Sequence, residues 1–249
     1  MLPPTIFFRI MCIYRNLFKN IGFSQSYKKD FFEFLFDDKT TILSFNHEFQ
    51  SDFMSIIPGY LARYSIREGN IIIDAGAYLG SFTVFAAKKV GKNGKVIAFE
   101  PDPNNFEKLM KNINLNKLKN VIAIKKGLYS TNMKMVFDSS EVISHIISID
   151  HKENLNNYMN IEVITLDEIL EELQIDKVDF IKMDVEGAEV QVLQGCRRTL
   201  QKNRVNLAIA SYHIVNGLPT SSSVEHLLSN WDYRTETGYP KHLTTYAWK

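Results

Sequence analysis

Ile71-Ile72-Ile73-Asp74-Ala75-Gly76-Ala77-Tyr78-Leu79-Gly80 is the stretch that decides the fold of this chain. Three consecutive β-branched apolar residues predict a strand buried on both faces; an acid and two glycines follow it closely. Ser81 to Val90 then reads as a helix. Strand, glycine turn and helix open a βαβ unit, and the rhythm continues outward from it. Lys95 to Phe99 predicts the next strand. Asp102 to Leu115 predicts a helix with Asp102 as N-cap, Pro103 in the first position and Phe106, Leu109, Met110 and Ile113 as the apolar stripe. Val121 to Ile124, Val178 to Met183 and Val205 to Ala210 predict further strands, with a helix from Ala188 to Leu200. Strands alternating with helices of about 10 to 14 residues mean an α/β, doubly wound, mostly parallel sheet. A helix near Val224 to Ser229 and strands around Tyr233 and Tyr246 end the chain, predicting an antiparallel hairpin at one edge.

Two regions depart from this rhythm. Residues 128–164 alternate in short, hairpin-like runs, after which Thr165 and Glu168 form a capping box. The first 65 residues mix a helix, the aromatic run Phe31 to Phe36, a strand over Thr40 to Phe45, and a helix over Asp52 to Tyr64 interrupted by Pro58 and Gly59. The expected organisation is therefore an N-terminal helical and strand addition over 1–65, on the acceptor side or as a lid. A main domain over 66–249 follows, with an insertion at 128–164.

Composition narrows the partners. The 249 residues are 45% hydrophobic and 23% charged, which excludes a disordered or low-complexity chain. No run of 18 uninterrupted apolar residues is present, so a membrane-spanning helix is not expected. Twenty-nine basic against 28 acidic side chains give +1, and no nucleic-acid partner is expected. The lysine-rich block between Lys88 and Lys134 reads as solvated surface. Cys12 and Cys196 lie in no metal-ligand spacing and fit a reducing, cytoplasmic setting. Residues 5–21 read as an amphipathic helix packed on the domain. The secondary reading is a peripheral contact with the inner face of a membrane through Arg9, Arg15 and Lys19.

The chemistry-bearing residues fall just after the strands, where open parallel sheets bind ligands. The glycine loop lacks the Gly-Lys-Ser/Thr ending that a nucleoside triphosphate needs. Gly76-x-x-x-Gly80 also misses the G-x-G-x-x-G spacing of a dinucleotide site. Asp74 ahead of the first glycine disfavours a pyrophosphate and suits a ligand with an ammonium group. Glu100 ends the second strand, where a carboxylate accepts both hydroxyls of a ribose. Amine-seeking acid, glycine turn and ribose-seeking acid together describe S-adenosylmethionine. At the end of the strand Val178 to Met183 stands Lys182-Met183-Asp184-Val185-Glu186-Gly187-Ala188-Glu189, too many ionisable groups for packing alone.

The glycine turn, Glu100-Pro101, the helix start Thr165-Leu166-Asp167 and Lys182-x-Asp184-x-Glu186-Gly187-x-Glu189, in this order, resemble the FkbM family of methyltransferases. The resemblance covers roughly residues 68–213. It implies a Rossmann-like class I methyltransferase sheet of seven strands and S-adenosylmethionine-dependent methyl transfer, usually to a hydroxyl oxygen of a sugar, glycan or polyketide. The implied acceptor is a small molecule, nucleotide sugar or glycan. Asp74, Gly76, Ala77, Tyr78 and Gly80 match the cofactor loop, Glu100 with Pro101 the ribose site, and Asp184 borders the cofactor. Lys125-Lys126-Gly127 stands where many class I enzymes carry an acid for adenine, so adenine would rest on main-chain groups near Gly127.

Methyl transfer is an in-line displacement, in which a hydroxyl acceptor gains from a general base. Asp184 is the first candidate and His213, after the strand Val205 to Ala210, the second. Lys182 would orient the acceptor or tune Asp184. The chain is read without a metal; Asp184, Glu186 and Glu189 are the oxygen cluster that a divalent cation would use. Two other readings stand beside this one: an NAD(P)-dependent oxidoreductase, and a methyltransferase-like binding module without activity.

Overall fold

The computed structural model describes residues 23–28, 30–36, 39–138, 146–147, 158–239 and 242–249. The expected helix at residues 5–21, with Cys12 and its membrane-facing cations, lies outside them. An antiparallel sheet comes first, of β1 (Phe23–Lys28), β2 (Phe31–Phe36) and β3 (Thr41–Ser44). The aromatic run is thus a strand, and Phe32 and Phe34 on one face join Phe23, Phe49 and Phe53 in a buried cluster. Residues 49–60 follow as one helical stretch, α1. The expected break at Pro58 does not occur. Pro58 has no N–H to donate, and the chain passes it through a wider turn in which the Ile57 N–H reaches the Asp52 carbonyl. The helix ends at Tyr60, short of the expected Tyr64.

The regular part follows as β4 (Ile71–Ala75), α2 (Ser81–Val90), β5 (Lys95–Phe99), α3 (Pro103–Leu115) and β6 (Val121–Ile124). Asp102 caps α3 as expected, accepting from the amides of Asn104 and Asn105. The hairpin-like region is β7 (Gly127–Leu128), β8 (Met133–Asp138), β9 (Ile146–Ile147) and β10 (Tyr158–Ile164), a separate sheet ordered β7-β10-β8-β9. The rest runs α4 (Leu166–Glu172), β11 (Phe180–Met183), α5 (Glu189–Gln194), α6 (Arg197–Lys202) and β12 (Asn206–Ala210). A short hairpin, β13 (Ile214–Val215) and β14 (Leu218–Pro219), precedes α7 (Ser221–Ser229), β15 (Arg234–Gly238) and β16 (Thr244–Trp248).

The central sheet has seven strands ordered β15-β16-β12-β11-β4-β5-β6. All run parallel except β16, which lies antiparallel between β12 and β15. The expected edge hairpin is therefore present, with its second strand on the inside. Alternation along each strand splits the core into two layers. Ile73, Ile97, Ile181 and Ile209 pack against α4 to α7. Ile72, Val96, Phe180 and Ala208 pack against α2, α1 and the N-terminal sheet.

Two local departures have identifiable causes. The helix expected over Ala188 to Leu200 is two helices: the Gly195 carbonyl accepts from the Asp167 N–H, and the Asp167 carboxylate caps α6 through the amides of Arg198 and Thr199. The capping box is also indirect. Thr165 Oγ1 accepts from the Glu168 amide, but the return bond is relayed by Asn132, which accepts from the Thr165 amide and donates to Glu168.

Candidate active site

Strand order reverses between β4 and β11, so the binding crevice of the sheet lies over their carboxyl ends. Parallel register places Lys182 directly beside Asp74 on the face toward α1 and α2. Both are buried, and Lys182 Nζ lies 3.1 Å from Asp74 Oδ1. The same ammonium donates to the Gly76 carbonyl at 2.5 Å and the Ala75 carbonyl at 3.4 Å. Burial lowers the pKa of Lys182, but Asp74, Asp184 and Glu100 outweigh it and leave the pKa raised. Thr83 donates to the other oxygen of Asp74. The expectation that Asp74 awaits a ligand ammonium is therefore corrected: the chain's own lysine fills that place. Lys182 braces the glycine turn from below.

The turn itself is closely specified. Gly76 has φ +77°, and a Cβ there would stand 1.8 Å from the Asp184 carbonyl oxygen. The amides of Gly76 and Ala77 both donate to the Phe99 carbonyl, that of Tyr78 to Glu100 Oε2 at 2.8 Å, and that of Gly80 to the Ala77 carbonyl. These four donors are spent within the chain, so the glycine turn does not present them to a pyrophosphate. That counts against the oxidoreductase reading.

Glu100 sits at the end of β5, with Oε1 accepting from the Asp102 amide at 3.0 Å. Burial pushes its carboxyl up to about 7, against the lowering effect of the Asp102 and Tyr78 amides. Each carboxylate oxygen keeps a second lone pair for a diol. Gly127 lies across from Pro101; a Cβ on it would stand 3.7 Å from that ring and 3.1 Å from Val163. A flat adenine-sized group beside this narrow edge and a ribose on Glu100 fit S-adenosylmethionine.

Asp184 follows β11 and is anchored by its amide to the Ala75 carbonyl at 3.0 Å. Its Oδ2 accepts from the Tyr60 hydroxyl at 2.7 Å, and Tyr60 is buried at the end of α1. On its other side the Tyr60 oxygen lies 3.4 Å from His242 Nε2. Burial, and after it Asp184, raises the Tyr60 pKa well above normal, so the phenol stays protonated. Among the described residues, Asp184 Oδ1 is buried with no hydrogen-bond partner.

His213, three residues beyond β12, has its ring almost wholly buried among carboxylates. Nδ1 lies 2.9 Å from Glu189 Oε1; Nε2 lies 3.3 Å from Glu186 Oε2 and 3.5 Å from Asp184 Oδ1. Burial lowers its pKa, but Glu186, Glu189 and Asp184 together raise it to about 10. Both ring nitrogens thus face carboxylates of the chain itself, which leaves the expectation of His213 as a second base without a nitrogen turned to an acceptor. Glu189 reaches His213 from inside the fold, away from the oxygen cluster expected with Asp184 and Glu186.

Several residues near the site give no sequence signal. Tyr60 and His242 belong to the terminal parts. Asp52 on α1, its pKa raised by burial and lowered in turn by the Ser81 hydroxyl, lies beside the start of α2. Tyr212 is half-exposed, with its ring 4.2 Å from His213 and 4.8 Å from His242. A Tyr or His that a strand end brings to an aspartate carries no spacing to find it by.

Comparison with known proteins agrees with this geometry. The methyltransferase FkbM domain matches residues 74–235. Hexuronic acid methyltransferase AglP of Haloferax volcanii is 31% identical over 146 residues, 59% of this chain and 57% of that protein. Methyltransferase sdnD of Sordaria araneosa is 28% identical over 154 residues, 50% of this chain and 59% of that protein. The chain thus spans a little over half the length of these curated relatives. Among solved structures, methyltransferase FkbM of Methylobacillus flagellatus superposes with a TM-score of 0.56 at 20% identity, covering 75% of this chain and 45% of that one. Aeropyrum pernix fibrillarin, solved with S-adenosyl-L-methionine, gives 0.50 at 11% identity over 90% of this chain and 97% of that one. Both show the class I fold. With a matched domain running from the glycine turn through β11, β12 and α7, the chain belongs to the FkbM family of S-adenosylmethionine-dependent methyltransferases.

Proposed function

We propose that this chain methylates a hydroxyl of a sugar-type acceptor, with Asp184 as the base. S-adenosylmethionine, when bound, supplies an electrophilic methyl group. The chain's residues do the rest. Glu100 holds the ribose, the turn at Gly76 to Gly80 lets the cofactor approach the main chain, and Lys182 keeps that turn closed over β11. Asp184 orients the acceptor hydroxyl and takes its proton as the oxygen attacks. The observation that carries the reading is the convergence on Asp184: its amide is fixed to β4 and its Oδ2 to Tyr60. A preoriented carboxylate at the strand tip beside the glycine turn is what a general base needs. The sugar class is supported by the hexuronic acid methyltransferase among the relatives. The N-terminal addition, which brings Tyr60, would form the acceptor side. Among the described residues no helix is long and apolar enough to cross a membrane.

The test is a single-turnover assay with labelled cofactor and a panel of hexuronic acids, nucleotide sugars and glycans. Asp184→Asn is expected to retain cofactor binding and lower the methyl-transfer rate by about 10²–10⁴. An undiminished rate in that variant removes Asp184 as base. Failure of the wild-type chain to bind the cofactor removes the methyltransferase reading altogether.

A further inference from the structure

We infer that Asp184, Glu186 and His213 form a binding site for a divalent metal ion, with Glu189 as the outer carboxylate that orients the histidine. The site lies at the base proposed above, so the inference rests on that reading for its role in catalysis but not for its existence. One donor atom from each of the three side chains lies within 4.8 Å of the others. His213 Nε2 is 3.3 Å from Glu186 Oε2 and 3.5 Å from Asp184 Oδ1. An ion with bonds of about 2.1 Å holds neighbouring ligand atoms roughly 3.0–3.5 Å apart, so a small adjustment admits one.

The arrangement is more than a cluster of acids. The His213 side chain is 98% buried, the complement of its 2% exposure, yet neither ring nitrogen makes an aligned hydrogen bond among the described residues. Asp184 Oδ1, pointing to the same place, also has none. Glu189 is fully buried and places Oε1 2.9 Å from His213 Nδ1. A carboxylate behind Nδ1 is how a metal-ligating histidine is held with Nε2 presented forward, and the ion would take the place of the Nε2 proton that the carboxylates otherwise favour. The Gly187 amide fixes that same Glu189 oxygen at 3.1 Å. The chain supplies two carboxylates and one imidazole, with Glu186 half-exposed at the rim and the outer positions open to water or a substrate oxygen. Two hard oxygens and one borderline nitrogen suit Mn²⁺ better than Mg²⁺. A hydroxyl bound to such an ion is acidified. Asp184 Oδ2, which the Tyr60 hydroxyl already supports, would take the proton of an acceptor hydroxyl acidified in this way.

The test uses the full chain without acceptor, titrated with Mn²⁺ and followed by the electron paramagnetic resonance signal of the free ion. One saturable ion per chain is expected, with Mg²⁺ competing more weakly. Glu186→Gln, at a rim position that keeps its fold, is expected to lose about a hundredfold in Mn²⁺ affinity, and Glu189→Gln about tenfold through loss of the oriented imidazole. Binding of S-adenosylhomocysteine is measured calorimetrically on the same samples. No saturable Mn²⁺ binding, or unchanged affinity in Glu186→Gln, overturns the site. If the cofactor product binds and Mn²⁺ does not, the site fails while the methyltransferase reading stands. If Mn²⁺ binds and the cofactor product does not, the site stands and that reading fails.

Discussion

Replacing Gly76 by alanine separates two costs that glycine usually hides. Gly76 and Gly69 have nearly the same positive φ, +77° and +83°. An alanine in that left-handed region costs about 1–2 kcal/mol at either position. The surroundings differ completely. A Cβ at Gly69 meets nothing within 4 Å, whereas one at Gly76 lies 1.8 Å from the Asp184 carbonyl oxygen, which is backbone and cannot rotate away. Relief requires β11 to move from β4 by more than 1 Å, roughly the shortfall from van der Waals contact. That movement breaks the bond from the Asp184 amide to the Ala75 carbonyl and pulls Lys182 off the Gly76 carbonyl. Each loss costs about 1 kcal/mol or slightly more. Gly76→Ala is thus expected to destabilise by about 3–4 kcal/mol and Gly69→Ala by about 1–2. For a chain of this size the melting temperature falls by roughly 2–4 °C per kcal/mol, so drops of about 6–16 °C and 2–8 °C are expected. Urea midpoints and thermal melts of both variants measure the difference, and calorimetry should show cofactor affinity lost only in Gly76→Ala. Equal destabilisation of the two variants would refute the close-approach argument.

Tyr60→Phe removes the donor to Asp184 Oδ2 without emptying its packing. We expect the methyl-transfer rate to fall about 10–150-fold with cofactor affinity unchanged, since a charge-assisted hydrogen bond contributes about 1.5–3 kcal/mol; a rate equal to wild type would show that the phenol does not position the base. Glu100 must be ionised to accept two ribose hydroxyls, and its pKa is raised to about 7. Cofactor affinity should therefore be full above that pH and fall as the pH drops through it, about tenfold weaker at pH 6, while Glu100→Gln binds weakly with a flat profile. Calorimetry across pH checks this, and a flat wild-type profile contradicts it. Asn116→Ala leaves both the N–H and the carbonyl of Leu43 without the partners they have in Asn116. It should cost about 2–4 kcal/mol in urea unfolding and loosen the N-terminal sheet in hydrogen exchange.

The βαβ rhythm was legible because its signals are local. Asp102 and Pro103 start a helix by their own chemistry, and Ile71-Ile72-Ile73 runs apolar because both faces of β4 are covered. The placement of Glu100 and the glycine turn at strand tips was legible for the same reason, since each directly follows a local strand signal. What the sequence could not show is set by register and crossing. Asp74 and Lys182 are 108 positions apart, yet parallel pairing of β4 with β11 makes them neighbours, so an acid that looked free for a ligand is already neutralised. His213 looked like a base because its three carboxylates come from elsewhere in the fold. The split at Gly195 depends on Asp167, a helix away. Asn112 and Asn116 are unremarkable on a helix, but Asn116 holds the backbone of β3 at Leu43 and Asn112 the Phe45 amide just beyond it.

The division of labour at the site follows the boundary of the matched domain. Gly76, Gly80, Glu100, Lys182 and Asp184 all fall within residues 74–235. Tyr60 and His242 lie outside them. Yet Tyr60 holds one oxygen of Asp184, and His242 packs its ring edge-on against Tyr60 at 5.1 Å. The domain thus supplies the glycine turn and the carboxylate, while Tyr60 and His242, from outside it, supply groups that face the carboxylate. That surface is fixed by long-range bonds: Tyr246 donates to the Gly59 carbonyl and Tyr239 to the Ser55 carbonyl, tying α1 to the terminal strands. A Cβ at Gly59 would stand 2.8 Å from the Tyr239 ring, so these segments are in close contact. Methyl transfer needs donor and acceptor aligned to within a fraction of an ångström. On the function proposed above, cofactor binding would depend on residues inside the matched domain, and alignment of the acceptor on Tyr60 and the segments that brace it. Substitutions in the first group should act on cofactor affinity, and substitutions in the second on turnover.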